Sequence, residues 1–458
     1  MRLRVLSLPI AAVLAAGCAG TSAPAGNSLG TRQPHAAGHQ VAHHHDRAVA
    51  WPTYHRTNDR AGHLAAAVAP PLHRLWAANL DGAVYGEPLA VGGLVIAATE
   101  TDTVYGLHPA SGKPAWRRHL GTPQPRSGLP CGDIDPLGIT GTPAYDAKTG
   151  SVFVVAETAG GHHTLWALNA RTGARRWHRN LDVLPSRNRL AEQQRSALLV
   201  THGRVIVTFG GLFGDCDNYV GYATSVATTG HGATYHYAVP TAREAGMWAP
   251  AGPVVGRNGN VYVASGNGAE LNGRWDKSDS VTELTPTRLH RKAVFAPATW
   301  AADNRADLDL GSSTPVPVGH RIVIAGKRGT VYLLRPGLGG IGGDIAQVSG
   351  CPSYGGAARA GTTVVLPCSN GVRALRVTAH GLHWKWSAPG VVGSPVIAGH
   401  RVYVPDRDSG TLRVLSLRTG HGLASAPVGS LTHFPSAAIH GTHLYVPTLS
   451  GVTALHGS

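Results

Sequence analysis

Eight times between Gly82 and the C-terminus the chain repeats a short apolar strand flanked by turn residues. The clearest rung is Leu94-Val95-Ile96, Val152-Phe153-Val154, Val205-Ile206-Val207, Val261-Tyr262-Val263, Ile322-Val323-Ile324, Val364-Val365-Leu366, Val402-Tyr403-Val404 and Leu444-Tyr445-Val446. A small-residue strand precedes most rungs and often carries proline: Pro88, Pro143, Pro253, Pro315 and Pro395, with Pro435 close to the last. A polar loop and an alternating strand follow, as in Ser394 to Gly420, the plainest copy. Three period-2 strands separated by turns form an antiparallel meander. Such a meander has two faces to bury and cannot bury them alone, so the copies must stack on one another.

A fourth strand follows several copies after a Thr-Gly or Ser-Gly turn and contains tryptophan: Trp116, Trp177, and Trp384 with Trp386. The eighth copy ends at Leu455-His456-Gly457-Ser458 with no fourth strand, while Leu72 to Leu80 ahead of the first copy is a strand without a hairpin partner. Pairing the orphan with the last copy closes a ring. The expected fold is therefore all-β: an eight-bladed β-propeller of four-stranded antiparallel blades, with an N-terminal strand completing the last blade. Seven blades would require one of the eight copies to be spurious. Copies run near 40 residues from the fifth onward and are longer before it.

Composition narrows the rest. With 60 glycines, 31 prolines and 14% charged residues the chain is too apolar for disorder and too broken for long helices. A formal charge of +15 favours anionic polymers, phospholipid head groups or nucleic acid. No arginine-rich run or aromatic platform supports a nucleic-acid partner, so none is expected.

The N-terminus reads as an address. Arg2 and Arg4 precede an apolar run, Val5 to Ala16, too short to span a bilayer as a stable helix. It ends in Leu14-Ala15-Ala16-Gly17-Cys18, which resembles the lipobox of bacterial lipoproteins, in which the cysteine (here Cys18) is acylated. Ala15 stands where leucine is usual, and ordinary signal-peptidase cleavage is the alternative. Residues 1–18 are thus expected as a leader and 19–50 as a disordered, histidine-rich linker. Its His43-His44-His45-Asp46 would be the place for adventitious metal. The body, 51–458, is expected outside the cytoplasmic membrane, lipid-anchored in the cell envelope, and monomeric.

Ala167 to Trp177, Ala-Leu-Asn-Ala-Arg-Thr-Gly-Ala-Arg-Arg-Trp, resembles the repeat of the quinoprotein, or PQQ-like, propeller family, whose turn and tryptophan dock successive blades. Gly106 to Trp116 and Val414 to Gly420 are weaker copies, and Trp51 to Gly62 resembles the N-terminal clasp of exported members. The resemblance covers about residues 51 to 458. It implies one of two activities, that of BamB-type envelope lipoproteins or that of quinoprotein alcohol dehydrogenases. The latter stack PQQ between a tryptophan and a disulfide of adjacent cysteines, with Ca²⁺ on the quinone and an Asp as base. This chain has neither adjacent cysteines nor a haem-attachment motif.

In a four-stranded blade the first-to-second and third-to-fourth turns share one face, and the second-to-third loops and blade connections share the other. The first class is expected to be short throughout; the extra length of the early blades falls in the second, which marks the binding face. Those loops gather Asp133, Asp135, Asp215, Asp217, Asn218, Trp248, Asn267, Asp303, Asp307 and Asp309 as ligand-binding candidates. Carboxylates with Asn can hold Ca²⁺ or a polyhydroxylated ligand; equally, Asp and Asn cap tight turns. The segment Asp307 to Ser313, leading into a first strand at the central channel, is the strongest single candidate. An even number of cysteines in an exported body favours disulfides. Blade geometry pairs Cys351 with Cys368, and elimination pairs Cys131 with Cys216. The expected function is a binding or scaffold protein for an envelope protein or glycopolymer, with no catalytic residue, metal site or cofactor. A dehydrogenase using PQQ and Ca²⁺ is the alternative.

Overall fold

Alternating apolar strands leave one solution, and the computed structural model, which describes residues 50–66 and 68–458, adopts it. The expected leader with Cys18 and nearly all of the expected linker lie outside the described residues. Eight sheets of four successive antiparallel strands surround one axis. Blade 1 comprises Leu89–Val91, Leu94–Ala98, Thr103–Leu107 and Pro114–His119. The innermost strands of blades 2 to 7 are Ala144–Asp146, Leu199–Thr201, Val254–Val255, Val316–Val318, Ala358–Ala360 and Val396–Ala398. Blade 8 takes Ala438–His440, His443–Thr448 and Gly451–His456 from the C-terminus and His73–Asn79 from the N-terminus. The orphan strand pairs antiparallel with the last one, from His73↔His456 to Asn79↔Gly451. The eight-bladed expectation and its closure both hold.

Burial follows position in the blade. Second strands such as Val152–Val155 are buried on both faces, because each is sandwiched between neighbouring blades; the outermost Pro114–His119 is largely exposed. The contact between blades 1 and 2 is typical: Leu89, Ile96 and Val104 pack on Val152, Val154 and Leu168. Tryptophans then lock blade to blade. The indole N–H of Trp76, Trp116, Trp177 and Trp386 donates to a carbonyl in the turn of the following blade: Pro109, Ala170, Thr228 and Leu417, at 2.7, 3.2, 3.2 and 2.9 Å. The ring lies flat over the turn glycine, and a Cβ on Gly173 would overlap the Trp116 ring.

Two details differ from expectation. The third-to-fourth turn of blade 5, residues 335–343, is long, and its Gly340–Ile341 pairs in parallel with the outer strand Arg291–Ala296 of blade 4. The lengthened connection from blade 4 to blade 5, expected as a loop like the others of its class, contains a short helix, Trp300–Arg305, seated by packing of Trp300 on Trp275. Among the described residues no helix is long and apolar enough to cross a membrane.

Gly173→Ala is expected to cost about 3 kcal/mol, because it combines a left-handed backbone (φ +66°) with a clash against Trp116. Gly93→Ala, also left-handed (φ +78°) but with open space around it, should cost only about 1 kcal/mol. Denaturant melts of the two variants check this; equal losses would mean the tryptophan does not dock on the turn.

Candidate functional site

The channel is filled by the chain itself. Trp51 pairs antiparallel with Ala90, so the peptide climbs from the short-turn face toward the loop-rich face. It turns over Tyr54 to Arg60 and descends as His63–Leu64, parallel to Val396–Ala398. Innermost strands are sheet edges with unpaired N–H groups. The hairpin satisfies them blade by blade: carbonyls of Pro52, Asn58, Ala61, Gly62 and Leu64 accept from the N–H of Tyr145, Val255, Arg359, Ile397 and Gly399. At its tip, Glu87 accepts from the Trp51 indole N–H at 2.5 Å and the His55 backbone N–H at 2.9 Å. His55 Nδ1 lies 3.0 Å from the Ala357 carbonyl, which can only accept, so Nδ1 carries the proton and Nε2 accepts from Ser436 at 3.0 Å. Burial pulls His55 down to about 3, so it is neutral, and pushes the Glu87 carboxyl up to about 7 against the hydrogen bonds it receives.

Above this plug sits a ring of side chains placed by the repeat. Counting four residues before each innermost strand gives Tyr85, Thr140, Arg195, Pro250, Ser312, Tyr354, Val392 and Phe434. Tyr85, Thr140, Arg195, Pro250 and Phe434 line a depression of about 280 Å³, including open solvent at its mouth, with Tyr54, Glu87, Thr142, His433 and Ser436. The Arg195 guanidinium lies 5.0 Å from the Phe434 ring centre and 5.7 Å from that of Tyr85. Phe434 in turn stacks on Tyr354 at 5.9 Å and meets Trp248 at 6.2 Å. The Arg195 side chain makes one long hydrogen bond, to the His433 carbonyl at 3.3 Å, and its buried Nε has no partner.

Beside the ring lies the expected Asp307 to Ser313 segment. Asp309 is 1% exposed. Its carboxylate accepts from the Asn267 N–H at 2.6 Å and pairs with Lys327 at 2.7 Å. Lys327 also pairs with Asp307 at 2.7 Å and lies 5.9 Å from the Trp248 ring centre. Burial pulls the ammonium pKa of Lys327 down, but the two carboxylates outweigh it and hold it above its ordinary value. Asp215 is close enough to feel Asp309 and Asp307; burial raises it, opposed by a hydrogen bond from Tyr219.

Of the candidate residues, then, Asp215, Trp248, Asn267, Asp307 and Asp309 come together. The others serve loops. Asp133 faces His433 at 3.7 Å, and Asp135 accepts from the Arg126 N–H. Asp217 and Asn218 accept from Asn188 and Arg187, while Asp303 holds Arg328 and Thr299 in the helical connection. Both expected disulfides form, Cys131–Cys216 and Cys351–Cys368. The first ties the connection of blade 1 to the loop of blade 3. Arg195, Lys327, Tyr85, Tyr354 and Phe434 escaped a search aimed at carboxylates. Aligning the repeats on their first strands would have exposed four of them, all in the ring register.

Architecture and repeats define this chain as a PQQ-like repeat propeller. The family model described as outer membrane protein assembly factor BamB matches residues 22–207 and 74–336, more than half of the sequence, and the chain belongs to that family. Among solved structures it is similar to BamB from Moraxella catarrhalis, at 18% identity and TM-score 0.60, covering 84% of this chain and 100% of that one. It is also similar to a quinohemoprotein alcohol dehydrogenase from Pseudomonas putida, at 15% identity and TM-score 0.70, covering 90% of this chain and 81% of that one. A europium-containing methanol dehydrogenase gives 13% identity, TM-score 0.68 and coverage of 89% and 98%. At these identities the likeness is one of fold. No curated protein matches the sequence.

The residues present do not fit a calcium-held quinone. Trp248 could offer a stacking face, but the disulfides join cysteines 85 and 17 residues apart and neither is the adjacent pair that would cover it. The Asp309 carboxylate is already paired with an ammonium group. Ca²⁺ needs six to eight oxygens, and among the described residues no group of three or more His, Cys, Asp or Glu is arranged to hold a metal ion.

Glu87 makes stability pH-dependent. Its folded pKa of about 7 lies above the ordinary 4.5, so the folded chain keeps the proton longer than the unfolded one. Stability therefore falls as pH rises from about 4.5 to 7, by a contribution on the order of 3 kcal/mol. Glu87→Gln keeps an oxygen for Trp51 and His55 and removes the titration. The variant should melt close to wild type at pH 5 and higher than wild type at pH 8; parallel curves would contradict the assignment.

Proposed function

We propose that the protein is a non-enzymatic scaffold of the cell envelope, tethered through its N-terminus, that binds a protein partner on its loop-rich face. The observation that carries this is the aromatic and cationic ring over a filled channel. Arg195, Phe434, Tyr354, Trp248 and Tyr85 are residue types that dominate binding energy at protein interfaces. They are displayed around a shallow depression, not folded around an enclosed cavity. Arg195 keeps hydrogen-bonding capacity toward the face, which suits a carboxylate or carbonyl of a docked segment. Family membership supports a protein as partner, since the family is described by an outer membrane protein assembly factor. A glycopolymer has less to recommend it, because the acids that would bind hydroxyl groups are engaged by Lys327, Arg328 and loop amides.

Pull-down from envelope extract with the full chain tests this. One dominant partner is expected, with recovery reduced at least tenfold by Arg195→Ala together with Phe434→Ala, and reduced also when the Asp307, Asp309 and Lys327 cluster is broken by Lys327→Ala. PQQ and Ca²⁺ added with a dye acceptor should give no alcohol-dependent dye reduction. Stoichiometric quinone binding with turnover would replace the scaffold by the dehydrogenase.

A further inference from the structure

The two faces of the propeller carry opposite charge, and the partition is sharper than the overall balance suggests. The loops and connections of the loop-rich face hold eighteen of the chain's 25 carboxylates, sixteen once the buried, proton-holding Glu100 and Asp102 are set aside, against eleven Lys and Arg. The turns of the other face carry Lys113, Lys148, Arg171, Arg257, Arg288, Arg335 and Arg418 and no carboxylate. Asp146 and Asp344, at strand ends, border these turns, and the buried Glu283 carboxylate accepts from Asn258 and Asn260 of the turn that carries Arg257. All seven cationic side chains are exposed. None is in an ion pair among the described residues; the guanidinium of Arg288 lies over the Tyr235 ring. They come from seven separate turns in five of the eight blades, so the positive charge is spread over one disc-like face and not gathered in a groove. The peptide reaches Trp51 from this same side, because it runs antiparallel to Leu89–Val91, which descends to the Val91–Leu94 turn.

We propose that the short-turn face is a membrane-apposed surface that binds anionic phospholipid head groups. A broad, flat array of unpaired cations complements a bilayer of anionic lipid, and attraction to such a surface grows with each Lys or Arg brought within a Debye length of about 10 Å. A tether alone does not supply this. The charged face fixes orientation: positive turns down, acidic loops and their ring outward. The side on which the bilayer lies rests on the tethered-scaffold reading; the lipid binding itself does not.

Co-sedimentation of the full chain with vesicles tests the proposal. The readout is the ratio of binding to phosphatidylglycerol-containing and to pure phosphatidylcholine vesicles, so that apolar insertion by the leader or an acyl group cancels. The ratio should exceed ten at 50 mM salt and fall toward one at 500 mM. Arg257→Glu, Arg288→Glu, Arg335→Glu and Arg418→Glu combined should lower it at least tenfold, with an unchanged melting temperature. Arg187→Glu with Arg305→Glu, on the loop-rich face, should leave it unchanged. An unaltered ratio in the fourfold variant overturns the proposal. So does equal affinity for a DNA duplex, which would make the face a general polyanion binder. If the envelope pull-down finds no partner while vesicle binding persists, the scaffold reading fails and this one stands.

Discussion

Everything in this fold hangs on what the N-terminal 30 residues of the body do for the two sets of strand edges. A propeller has an outer seam, where the last blade lacks a strand, and an inner wall, where eight short strands turn their free N–H groups toward the axis. Unpaired edges are costly or adhesive. His73–Asn79 closes the seam, and Trp51–Leu64 covers much of the wall. The second task brings polar groups into a nearly dry channel. Arg60, 3% exposed, spends its guanidinium on Thr53, the Tyr54 carbonyl and the Leu198 carbonyl. Removing any of these partners would strand a buried charge, which is far costlier than the hydrogen bond it loses. The clasp is therefore part of the core.

A second buried network stiffens the loop-rich face. His163 sits between Glu157 at 3.2 Å and Asp182 at 3.3 Å, joining blade 2 to the connection that leads to Arg195. Burial would strip its proton, but the flanking carboxylates keep it, raising its pKa to about 10. Nearby Glu100 and Asp102 lack such a counter-ion, and burial raises them to about 8 and 9. His163, Glu100 and Asp102 are all raised, so each weakens the fold as pH rises through its folded pKa, in the same sense as Glu87. Together with the Cys131–Cys216 link, the network holds the ring residues on short, crossbraced segments, and little ordering entropy is left to be lost on binding.

Blade number and strand order were legible in the sequence because they rest on local signals: period-2 runs, turn pairs, a tryptophan at fixed spacing after Thr-Gly or Ser-Gly. The closing strand and the two disulfides followed from the blade count, blade geometry and elimination. The face on which the long loops gather was legible from loop length. What the sequence hid was the identity of the site. Asp133 and Asp309 look alike as loop acids, yet one faces solvent beside His433 and the other is buried against Lys327. Only the axis brings Tyr85, Arg195, Tyr354 and Phe434 together, from positions up to 349 residues apart. The helix Trp300–Arg305 was hidden for a different reason: packing on Trp275, and not helix propensity, forms it.

The filled channel also sets how deep this face can be. Small-molecule sites enclose ligands in roughly 300–1,000 Å³ and bury most of their surface. Here the depression is about 280 Å³ even with the solvent at its mouth, and its floor is Tyr54, fixed by a hairpin that the wall itself requires. Deepening it would mean withdrawing Trp51–Leu64 and exposing Arg60, Glu87 and the free N–H groups of several blades. A ligand could not recover that cost from so few contacts. A surface reaching across Arg195, Phe434 and Trp248 meets no such obstacle: the cations there are only partly paired, the rings already stacked, and the loops already braced. The arrangement that makes the propeller stable is thus the one that keeps its loop-rich face shallow.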